Sequence, residues 1–533
     1  MRFGPAIANA AWLASGAGAS ARFHRALASP GEAQRSWLLA QLVRHAGSVY
    51  GREHDFAAIS DYATFARRVP LASCTDVAPY ITRIQAGEKN VLGADPVTHL
   101  VPTSGTTGPQ KLIPFTGTLS AAFDAAVAPW MRDLARQRPS LLGGPAYWSV
   151  SPLAAGTGVN TPSTVRVGFD DDAAYLGGAK SWLIKRLFAV PSSVRLARDE
   201  SAFWRLTLLA LLRSRELRLV SVWHPSFFEL LVGTAEEAWP ELIAAVESGA
   251  NPWADALPSA ARAGWAATPD PRRASELRTI GASDWPRWWP LLQVLSCWGE
   301  AAAEGGWRRL ASRVPGVLVQ RKGLLATEAV VTIPIGDAFP LAITSHFFEF
   351  LDEQGGVHGA EDLESDGRYE VVVTNGAGLW RYRLGDIVEC TGRLRATPSL
   401  RFLGRSGRVS DLRGEKLSEA FVSEALRTLW GPGAPPAVAV LRAWDDRIQA
   451  GYELVLSTET LDEPVMELTM RLERALEANP HYALARRLGQ LAPLRVVEVS
   501  PNAAQDALRE ASQRRGARIG DVKPPTLVLA DSA

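Results

Sequence analysis

Residues 103–111 read Thr103-Ser104-Gly105-Thr106-Thr107-Gly108-Pro109-Gln110-Lys111 and are the most informative stretch of the chain. The two glycines allow backbone amides to approach a polyphosphate, the hydroxyl side chains add donors, and Lys111 adds a positive charge. A Walker A loop needs glycine just before the lysine and serine or threonine just after it, but Gln110 and Leu112 stand there. The residues alone therefore leave two interpretations open, a phosphate-binding loop of another class and an ordinary turn of this composition.

Three downstream segments carry further candidate residues. In chain order they are Lys322-Gly323-Leu324-Leu325-Ala326-Thr327-Glu328, Gly378-Leu379-Trp380-Arg381-Tyr382-Arg383-Leu384-Gly385-Asp386, and Phe402-Leu403-Gly404-Arg405 continuing to Arg413-Gly414-Glu415-Lys416. Glu328 is a carboxylate that follows an apolar segment. Taken alone, such a glutamate is more often a paired structural carboxylate. Each segment is a weak signal by itself, and all of them in this order are a strong one.

The order of these segments resembles that of adenylate-forming enzymes, and their details resemble the Gretchen Hagen 3 family. Its plant members are acyl-acid amido synthetases that conjugate jasmonate or auxin to amino acids. Further segments carry the resemblance: Val69-Pro70, Pro79-Tyr80-Ile81, Gly87-Glu88, Ser296-Cys297-Trp298, Phe348-Glu349-Phe350, Tyr369-Glu370-Val371-Val372-Val373-Thr374 and the tail from Gly516 to Pro525. The resemblance covers the chain from about 30 to 530, and its motifs are specific as a set.

The resemblance implies an ATP-dependent ligase that uses Mg²⁺. The enzyme would adenylate a carboxylic acid, release pyrophosphate, and transfer the acyl group to an amine, expected to be an amino acid. The implied nucleotide-binding residues are Thr103, Ser104, Gly105, Thr106, Thr107, Gly108, Lys111, Gly323, Thr327, Glu328, Asp386, Phe402, Arg405 and Lys523.

Within this set the resemblance implies separate roles. The loop from Ser104 to Lys111 would hold the pyrophosphate, Glu328 would bind Mg²⁺, and Asp386 would accept hydrogen bonds from the ribose hydroxyls. Rotation of a C-terminal domain would bring Lys523 to the α-phosphate or the carboxylate. Lys523, Glu328 and Lys111 are thus the implied catalytic residues.

The sequence also departs from the family pattern. The phosphate loop opens with Thr103-Ser104 in place of Ser-Ser, and Gly414-Glu415-Lys416 replaces an aspartate-lysine pair near the hinge. A C-terminal Gln-Tyr-Lys-Thr-Pro becomes Asp521-Val522-Lys523-Pro524-Pro525. Lysine is kept in both places, so the departures concern how the small domain docks and which acceptor it presents.

An acyl pocket is expected from residues 143–152, 223–228 and 343–347. Its candidate lining residues are Tyr147, Trp148, Trp223, Phe227, His346 and Phe347, which favour an aromatic or apolar acid. His346 is also a candidate base for the amine. The alternative is that these side chains belong to the core, because a chain with 18 tryptophans is rich in aromatic residues throughout.

The pattern of elements predicts an α/β fold in two domains. Short apolar strands at Leu217–Trp223 and Leu291–Trp298 alternate with helical patterns, as in a mostly parallel sheet. Strand signals recur at Phe347–Phe350, Tyr369–Thr374 and Ile387–Thr391. We expect a large N-terminal adenylation domain over 1–404, with mixed and parallel sheets flanked by helices. A small mobile α+β domain over 405–533 follows, with a hinge near 404–412. Its pattern predicts, in order, a helix over 416–429, strands at 437–444 and 451–458, a helical stretch over 463–490, a strand at 494–499 and a helix over 502–515.

Composition excludes several classes of protein. The 533 residues are 47% hydrophobic and 21% charged, with a formal net charge of +1, so no overall field attracts nucleic acid or anionic lipid. The three cysteines, Cys74, Cys297 and Cys390, suit neither a disulfide framework nor a zinc site. No apolar run is long enough to span a membrane, and the start of the chain is expected to be a capping helix or a frayed terminus rather than a signal peptide. A cytoplasmic location follows from ATP use and the lack of a targeting segment.

The basic residues are unevenly divided, because only seven of the 57 are lysines. A chain so rich in arginine draws attention to positions that keep a compact ammonium group.

Two other functions remain open at this point. An acyl-CoA ligase would share the adenylation step but use a thiol acceptor, and the response of AMP release to amine or to CoA separates the two. A nucleotide-binding scaffold without catalysis would bind ATP and release no pyrophosphate.

Overall fold

The structure is a computed structural model that describes residues 3–102, 111–149, 163–167, 187–413, 415–430, 438–446, 449–457, 464–487, 489–500 and 525–530. The predicted phosphate loop (Thr103, Ser104, Gly105, Thr106, Thr107 and Gly108), Lys523, and the helix expected over 502–515 lie outside these residues.

Helices cover much of the described chain. They are α1 (Phe3–Ser15), α2 (Ala17–Ala26), α3 (Pro30–His45), α4 (Val49–Glu53), α5 (Tyr62–Arg68), α6 (Cys74–Gln85), α7 (Gly117–Gln137), α8 (Glu200–Arg213), α9 (Pro225–Ser248), α10 (Ser259–Arg262), α11 (Pro271–Ile280), α12 (Glu304–Arg313), α13 (Glu419–Trp430), α14 (Val465–Leu476) and α15 (Pro480–Arg487). Polar caps set where several of them begin. The Asp199 side chain accepts a hydrogen bond from the Ala202 amide at 2.7 Å and starts α8. No helix in the described ranges is long and apolar enough to cross a membrane.

The strands are short in the first half of the chain and longer in the second. They are β1 (Val97–Pro102), β2 (Leu112–Thr116), β3 (Ala146–Trp148), β4 (Arg166–Val167), β5 (Leu219–Ser221), β6 (Val294–Cys297), β7 (Leu318–Arg321), β8 (Phe347–Leu351), β9 (Val357–His358), β10 (Arg368–Thr374), β11 (Tyr382–Leu394), β12 (Thr397–Arg405), β13 (Val409–Ser410), β14 (Leu417–Ser418), β15 (Val438–Asp445), β16 (Ala450–Ser457), β17 (Arg495–Val499) and β18 (Leu527–Val528). Their sheet orders are β2-β1-β4, β3-β5-β6-β7, β12-β11-β10-β8-β9, β13-β14 and β17-β16-β15-β18.

The sheet β3-β5-β6-β7 is parallel throughout, and the strands predicted at 217–223 and 291–298 are confirmed as β5 and β6. Both of these strands are fully buried, as expected for a sheet covered by helices on its faces. All four strands end at one edge of the sheet. Trp148 ends β3, and the chain leaves β5, β6 and β7 through Trp223, Trp298 and Lys322.

The sheet β12-β11-β10-β8-β9 is antiparallel and contains the strands predicted at 347–350, 369–374 and 387–391. It packs with helices α3 and α7 and the segment around Val330 in one large hydrophobic cluster. A second cluster lies around α8, α9 and the parallel sheet. The predicted α/β fold with mixed and parallel sheets is therefore confirmed.

The C-terminal part is α+β. The helix predicted over 416–429 is α13, and the strands predicted at 437–444, 451–458 and 494–499 are β15, β16 and β17. Buried residues from Leu417 to Leu527 form a third hydrophobic cluster of their own. Glu419 links this part to the end of β12, because its carboxylate accepts hydrogen bonds from the backbone amides of Arg405 at 3.3 Å and Thr526 at 3.0 Å. The boundary near 404–412 stays a prediction.

Candidate active site

Asp386 and Arg405 form a charged pair at the centre of the candidate site. They face each other in register on β11 and β12, and Arg405 Nε lies 3.0 Å from Asp386 Oδ1. The Asp386 side chain is 1% exposed, and Oδ1 accepts no hydrogen bond of good geometry within the described residues. Gly385 has a φ of 76°, and the pairing shifts register between Ile387 and Val388. Irregularities of this kind turn a strand side chain toward a site.

Glu328 lies on the loop that follows β7. A Cβ on Gly323 would lie 2.1 Å from the Thr332 carbonyl oxygen, so only glycine permits the two segments to approach this closely. Asn375 Nδ2 donates a hydrogen bond to the Glu328 carbonyl oxygen at 2.8 Å and fixes the backbone there. The Glu328 side chain is buried, while Thr327 beside it is half-buried.

The ionisable groups of the site act on one another. Burial raises the pKa of Glu328, which Arg405 and Lys111 lower and Asp386 raises further. The pKa of Arg405 is raised by Asp386 first and by Glu328 as well. Burial and then the Glu328 charge raise the pKa of Tyr382. These shifts place Lys111, Glu328, Tyr382, Asp386 and Arg405 in one electrostatic cluster, which combines acidic acceptors for a ligand with cations suited to phosphate.

Phe402 lies on β12 close to this cluster. Its ring packs edge to face on Trp298 with centroids 5.5 Å apart, and its amide donates a hydrogen bond to the Glu300 carboxylate at 2.8 Å. Glu300 and Phe402 line a cavity of about 130 Å³ that extends to α13 and Thr526. Sequence reasoning missed Glu300. Its place two residues after a predicted strand was the available signal, because ligands bind beyond the carboxyl ends of parallel strands.

Two of the six candidate acyl-pocket residues come together around a lysine that the sequence analysis left without a role. Lys322 Nζ lies 4.7 Å from the Trp223 ring centroid and 5.9 Å from that of Trp148. These residues stand at the carboxyl edge of the parallel sheet. Lys322 is one of seven lysines in the chain and opens one of the segments that carry the resemblance.

The other four candidates lie in the hydrophobic core. Tyr147 and Phe227 belong to the cluster around the parallel sheet, and Phe347 packs against Tyr62 and Phe65. His346 is fully buried, and burial lowers its pKa to about 3.

The surroundings of His346 are those of a core residue. Its ring contacts Trp37, Phe123 and Phe348, and its Nε2 accepts a hydrogen bond from the Val330 amide at 3.3 Å. Neither Trp148 nor Trp223 is among the aromatic rings that contact His346.

The resemblance also implies Mg²⁺ bound to the nucleotide phosphates. Within the described ranges no three His, Cys, Asp or Glu side chains are arranged to hold a metal by themselves. Mg²⁺ on a nucleotide needs only one or two carboxylates, with phosphates and waters completing its octahedron. Glu328 is a buried carboxylate whose ionisation is unfavourable unless a cation is near. The residues present therefore fit a Mg²⁺–nucleotide complex and not a metal site built from protein alone.

Three family models match successive parts of the chain. The GH3 family N-terminal domain matches residues 19–317, the central domain 339–405 and the C-terminal domain 436–532. The chain is 27% identical to a probable indole-3-acetic acid-amido synthetase GH3.12 of Oryza sativa subsp. japonica, over 96% of this chain and 93% of that protein. It is 26% identical to a jasmonoyl–L-amino acid synthetase GH3.5 of the same organism, over 72% of each.

Solved structures agree on the fold. AtGH3.15 acyl acid amido synthetase in complex with 2,4-DB superposes with a TM-score of 0.82 at 21% identity, covering 96% of this chain and 93% of that one. A 2-hydroxyisobutyryl-CoA ligase in the postadenylation state gives 0.52 at 15% identity, covering 95% and 91%. The predicted resemblance is confirmed, and the chain belongs to the GH3 family of adenylate-forming enzymes.

Proposed function

We propose that this protein is an ATP-dependent acyl-acid amido synthetase, which joins a carboxylic acid to the amino group of an amino acid. The observation that carries the proposal is the convergence of Glu328, Asp386 and Arg405, with Lys111 acting on the same cluster, in a chain of the GH3 family. One cluster thus offers cations for phosphates and a buried acceptor for hydroxyl groups.

In the first half-reaction a carboxylate oxygen attacks the α-phosphorus of ATP and pyrophosphate leaves. Both reactants are anions, so the protein acts mainly by positioning them and neutralising charge. Asp386 accepts hydrogen bonds from the ribose hydroxyls, and the loop ending at Lys111 holds the departing pyrophosphate. Glu328 would hold Mg²⁺, which would neutralise further charge on the phosphates. Arg405 lies beside Asp386 and adds positive charge near the nucleotide.

Lys523 completes the adenylation site in this proposal. It precedes Thr526 by three residues, a reach of about 10 Å for extended chain. Thr526 is buried, and its hydroxyl lies 2.5 Å from the Ser423 hydroxyl on α13. The proposal therefore needs this part of the chain to carry Lys523 to the adenylation site when it rotates.

In the second half-reaction the amine attacks the acyl-adenylate and AMP leaves. The amine must be neutral to attack. We assign no proton transfer to His346, since an imidazole with a pKa of about 3 enclosed by aromatic rings is a poor base near neutral pH. Proton removal is left to solvent or to a group outside the contacts described here.

The first experiment measures pyrophosphate release from Mg·ATP with a panel of carboxylic acids, each with and without pooled amino acids. We expect release to require an acid and to rise when amino acids are added, with the amide found by mass spectrometry. Release that ignores amino acids but responds to CoA would replace the proposal with an acyl-CoA ligase. ATP binding without release for any acid would point to a nucleotide-binding scaffold.

A further inference from the structure

The ammonium group of Lys322 is held in an unusual environment for a lysine. The residue is 4% exposed, and its ammonium group lies over the indole rings of Trp148 and Trp223. No carboxylate in the described part of the chain lies in ion-pair distance of it. Burying a cation without an anion is costly, and cation–π contacts recover only part of that cost.

The backbone holds Lys322 firmly in this position. Lys322 is the first residue after β7, and its amide still donates to the Cys297 carbonyl oxygen on β6 at 2.9 Å. Gly323 follows immediately, in a place where no side chain fits against Thr332. The side chain therefore extends from the rigid carboxyl edge of the parallel sheet, where α/β proteins bind ligands.

The lowered pKa of Lys322 is consistent with a role in binding an anion. Burial lowers the pKa of Lys322 to about 7, and Cys297 is the one described titratable group that acts on it. That thiol is itself neutral near pH 7, since burial raises its pKa to about 12. A bound anion would restore the full positive charge on the lysine.

Lys322 is also separate from the nucleotide cluster. Arg405, Asp386 and Lys111 act on Glu328, and neither Glu328 nor Asp386 acts on Lys322. The carboxylate that is activated must meet the α-phosphate at the nucleotide cluster. The Lys322 ammonium group can therefore bind a second anionic group on the same acid. Trp223 is 39% exposed, so one wall of this position opens to solvent.

We propose that Lys322, Trp148 and Trp223 form a subsite for a second carboxylate on the acyl substrate, remote from the one that is adenylated. The substrate class is then an aromatic dicarboxylic acid, whose second carboxylate pairs with Lys322 while its ring lies against the indoles. The inference rests on the proposed function, because it assigns this subsite to the acid that the enzyme activates.

The test compares each aromatic diacid with its own monomethyl ester, which keeps the shape and one carboxylate but removes the second charge. Terephthalate and isophthalate, each with its monoester, are assayed by pyrophosphate release with the full-length wild-type protein and with Lys322→Met. Lys322→Arg retains a cation, and Lys89→Met serves as a control at an exposed lysine. We expect the wild type to favour at least one diacid over its ester in kcat/KM by about 10- to 100-fold, typical of a charged hydrogen bond.

In Lys322→Met that preference should vanish while turnover of the monoester changes by less than about threefold, and Lys322→Arg should keep part of the preference. Equal loss for diacid and ester in Lys322→Met would overturn the subsite and indicate a structural or proton-transfer role. A wild type that turns over monoacids without preferring diacids would also overturn it and leave the proposed function standing.

Calorimetric titration of each diacid into the protein without ATP separates the two proposals. Binding that is lost in Lys322→Met and kept in Lys89→Met would support the subsite. If no acid released pyrophosphate in the same set of experiments, the proposed function alone would be contradicted. Binding of equal strength to wild type and Lys322→Met, or to neither, would overturn the subsite.

Discussion

At the scale of single residues, Asp386 is the side chain whose proposed role has the simplest energetic consequence. A ribose contact is made equally in the ground state and the transition state, so its loss weakens binding more than it slows chemistry. We expect Asp386→Ala to raise the KM for ATP by about 10- to 100-fold, the range of one or two hydrogen bonds to a charged group, and to change kcat only slightly. Pyrophosphate release over a range of ATP concentrations measures both constants, with Asp337→Ala as an exposed control. A lower kcat at saturating ATP with an unchanged KM would contradict the assignment.

Glu328 allows a prediction in which stability and activity move in opposite directions. Burial raises its pKa, so the folded state binds this proton more tightly than the unfolded state does. The stability this gives is fully present below the unfolded pKa of about 4.5 and is lost as the pH rises through the folded value. Glu328→Gln mimics the protonated form. It should therefore raise the melting temperature at pH 7.5 without Mg·ATP, have little effect at pH 4, and lower adenylation at least tenfold.

Thermal unfolding at the two pH values and pyrophosphate release at pH 7.5 check this prediction. Asp352, a partly exposed carboxylate whose pKa is lowered by its hydrogen bond with His358, provides the opposite case. Asp352→Asn should be neutral or destabilising at pH 7.5 and should leave turnover unchanged. A Glu328→Gln protein that is less stable at pH 7.5 would contradict the assigned cause of the pKa shift.

The motifs predicted Glu328, Asp386 and Arg405 as nucleotide-site residues, because each lies in a recognisable segment. Their convergence could not be predicted, since it depends on the register of β11 with β12 and on the shift after Ile387. Lys322 and Glu300 were missed for a related reason. Lys322 opens a quoted segment and Glu300 follows a predicted strand by two residues, but their roles depend on which strand ends lie side by side in the sheet.

At the scale of elements, the ion pair of Arg381 with Glu349 joins β8 to the chain before β11. Arg381 has a φ of 46° and is almost fully buried, and its guanidinium donates to Glu349 at 2.8 Å and to the Val69 carbonyl oxygen at 2.8 Å. Tyr62 also donates to Glu349, at 2.9 Å. The pair thus connects the helical N-terminal region to the sheet that bears Asp386.

Removing one partner should be strongly destabilising, because it leaves the other charge buried. We expect Arg381→Met to lower the free energy of unfolding by about 3–5 kcal/mol. Arg35→Met is the control, since Arg35 and Glu361 are 57% and 38% exposed and their pair should contribute about 0–1 kcal/mol. Denaturant unfolding followed by circular dichroism compares the two variants. Equal losses for both would mean that burial of the Arg381 pair is not what matters.

Periodicity predicted elements well where the apolar pattern is continuous, as in β5 and β6. It predicted β11 only at 387–391, whereas the strand runs from Tyr382 to Leu394. Gly385 and the charged residues Arg383 and Asp386 interrupt the alternation, and the strand is kept by its pairing with β10 and β12. Tertiary pairing overrides local propensity most strongly where a strand carries a site.

At the scale of the whole molecule, the proposed mechanism needs the C-terminal part to deliver Lys523 to the adenylation site. Glu419 connects the end of β12 to the C-terminal part. Its carboxylate accepts hydrogen bonds from the Arg405 amide, from the Arg408 guanidinium at 3.2 Å and from the Thr526 amide. The side chains that fix Thr526 therefore also fix the point from which the segment bearing Lys523 extends. A lysine delivered this way contributes charge to the transition state and nothing to the core.

We accordingly expect Lys523→Ala to lower adenylation by about two or more orders of magnitude, comparable with losing a preorganised electrostatic contact. The melting temperature and the dissociation constant for ATP should stay close to those of the wild type. Lys89→Ala, at an exposed lysine of the N-terminal part, controls for the loss of a charge. Pyrophosphate release, calorimetric ATP binding and thermal unfolding together separate a catalytic role from a structural one. Unchanged turnover would remove Lys523 from the mechanism, and a lower melting temperature with a matching loss of activity would make it a residue that holds the C-terminal part together.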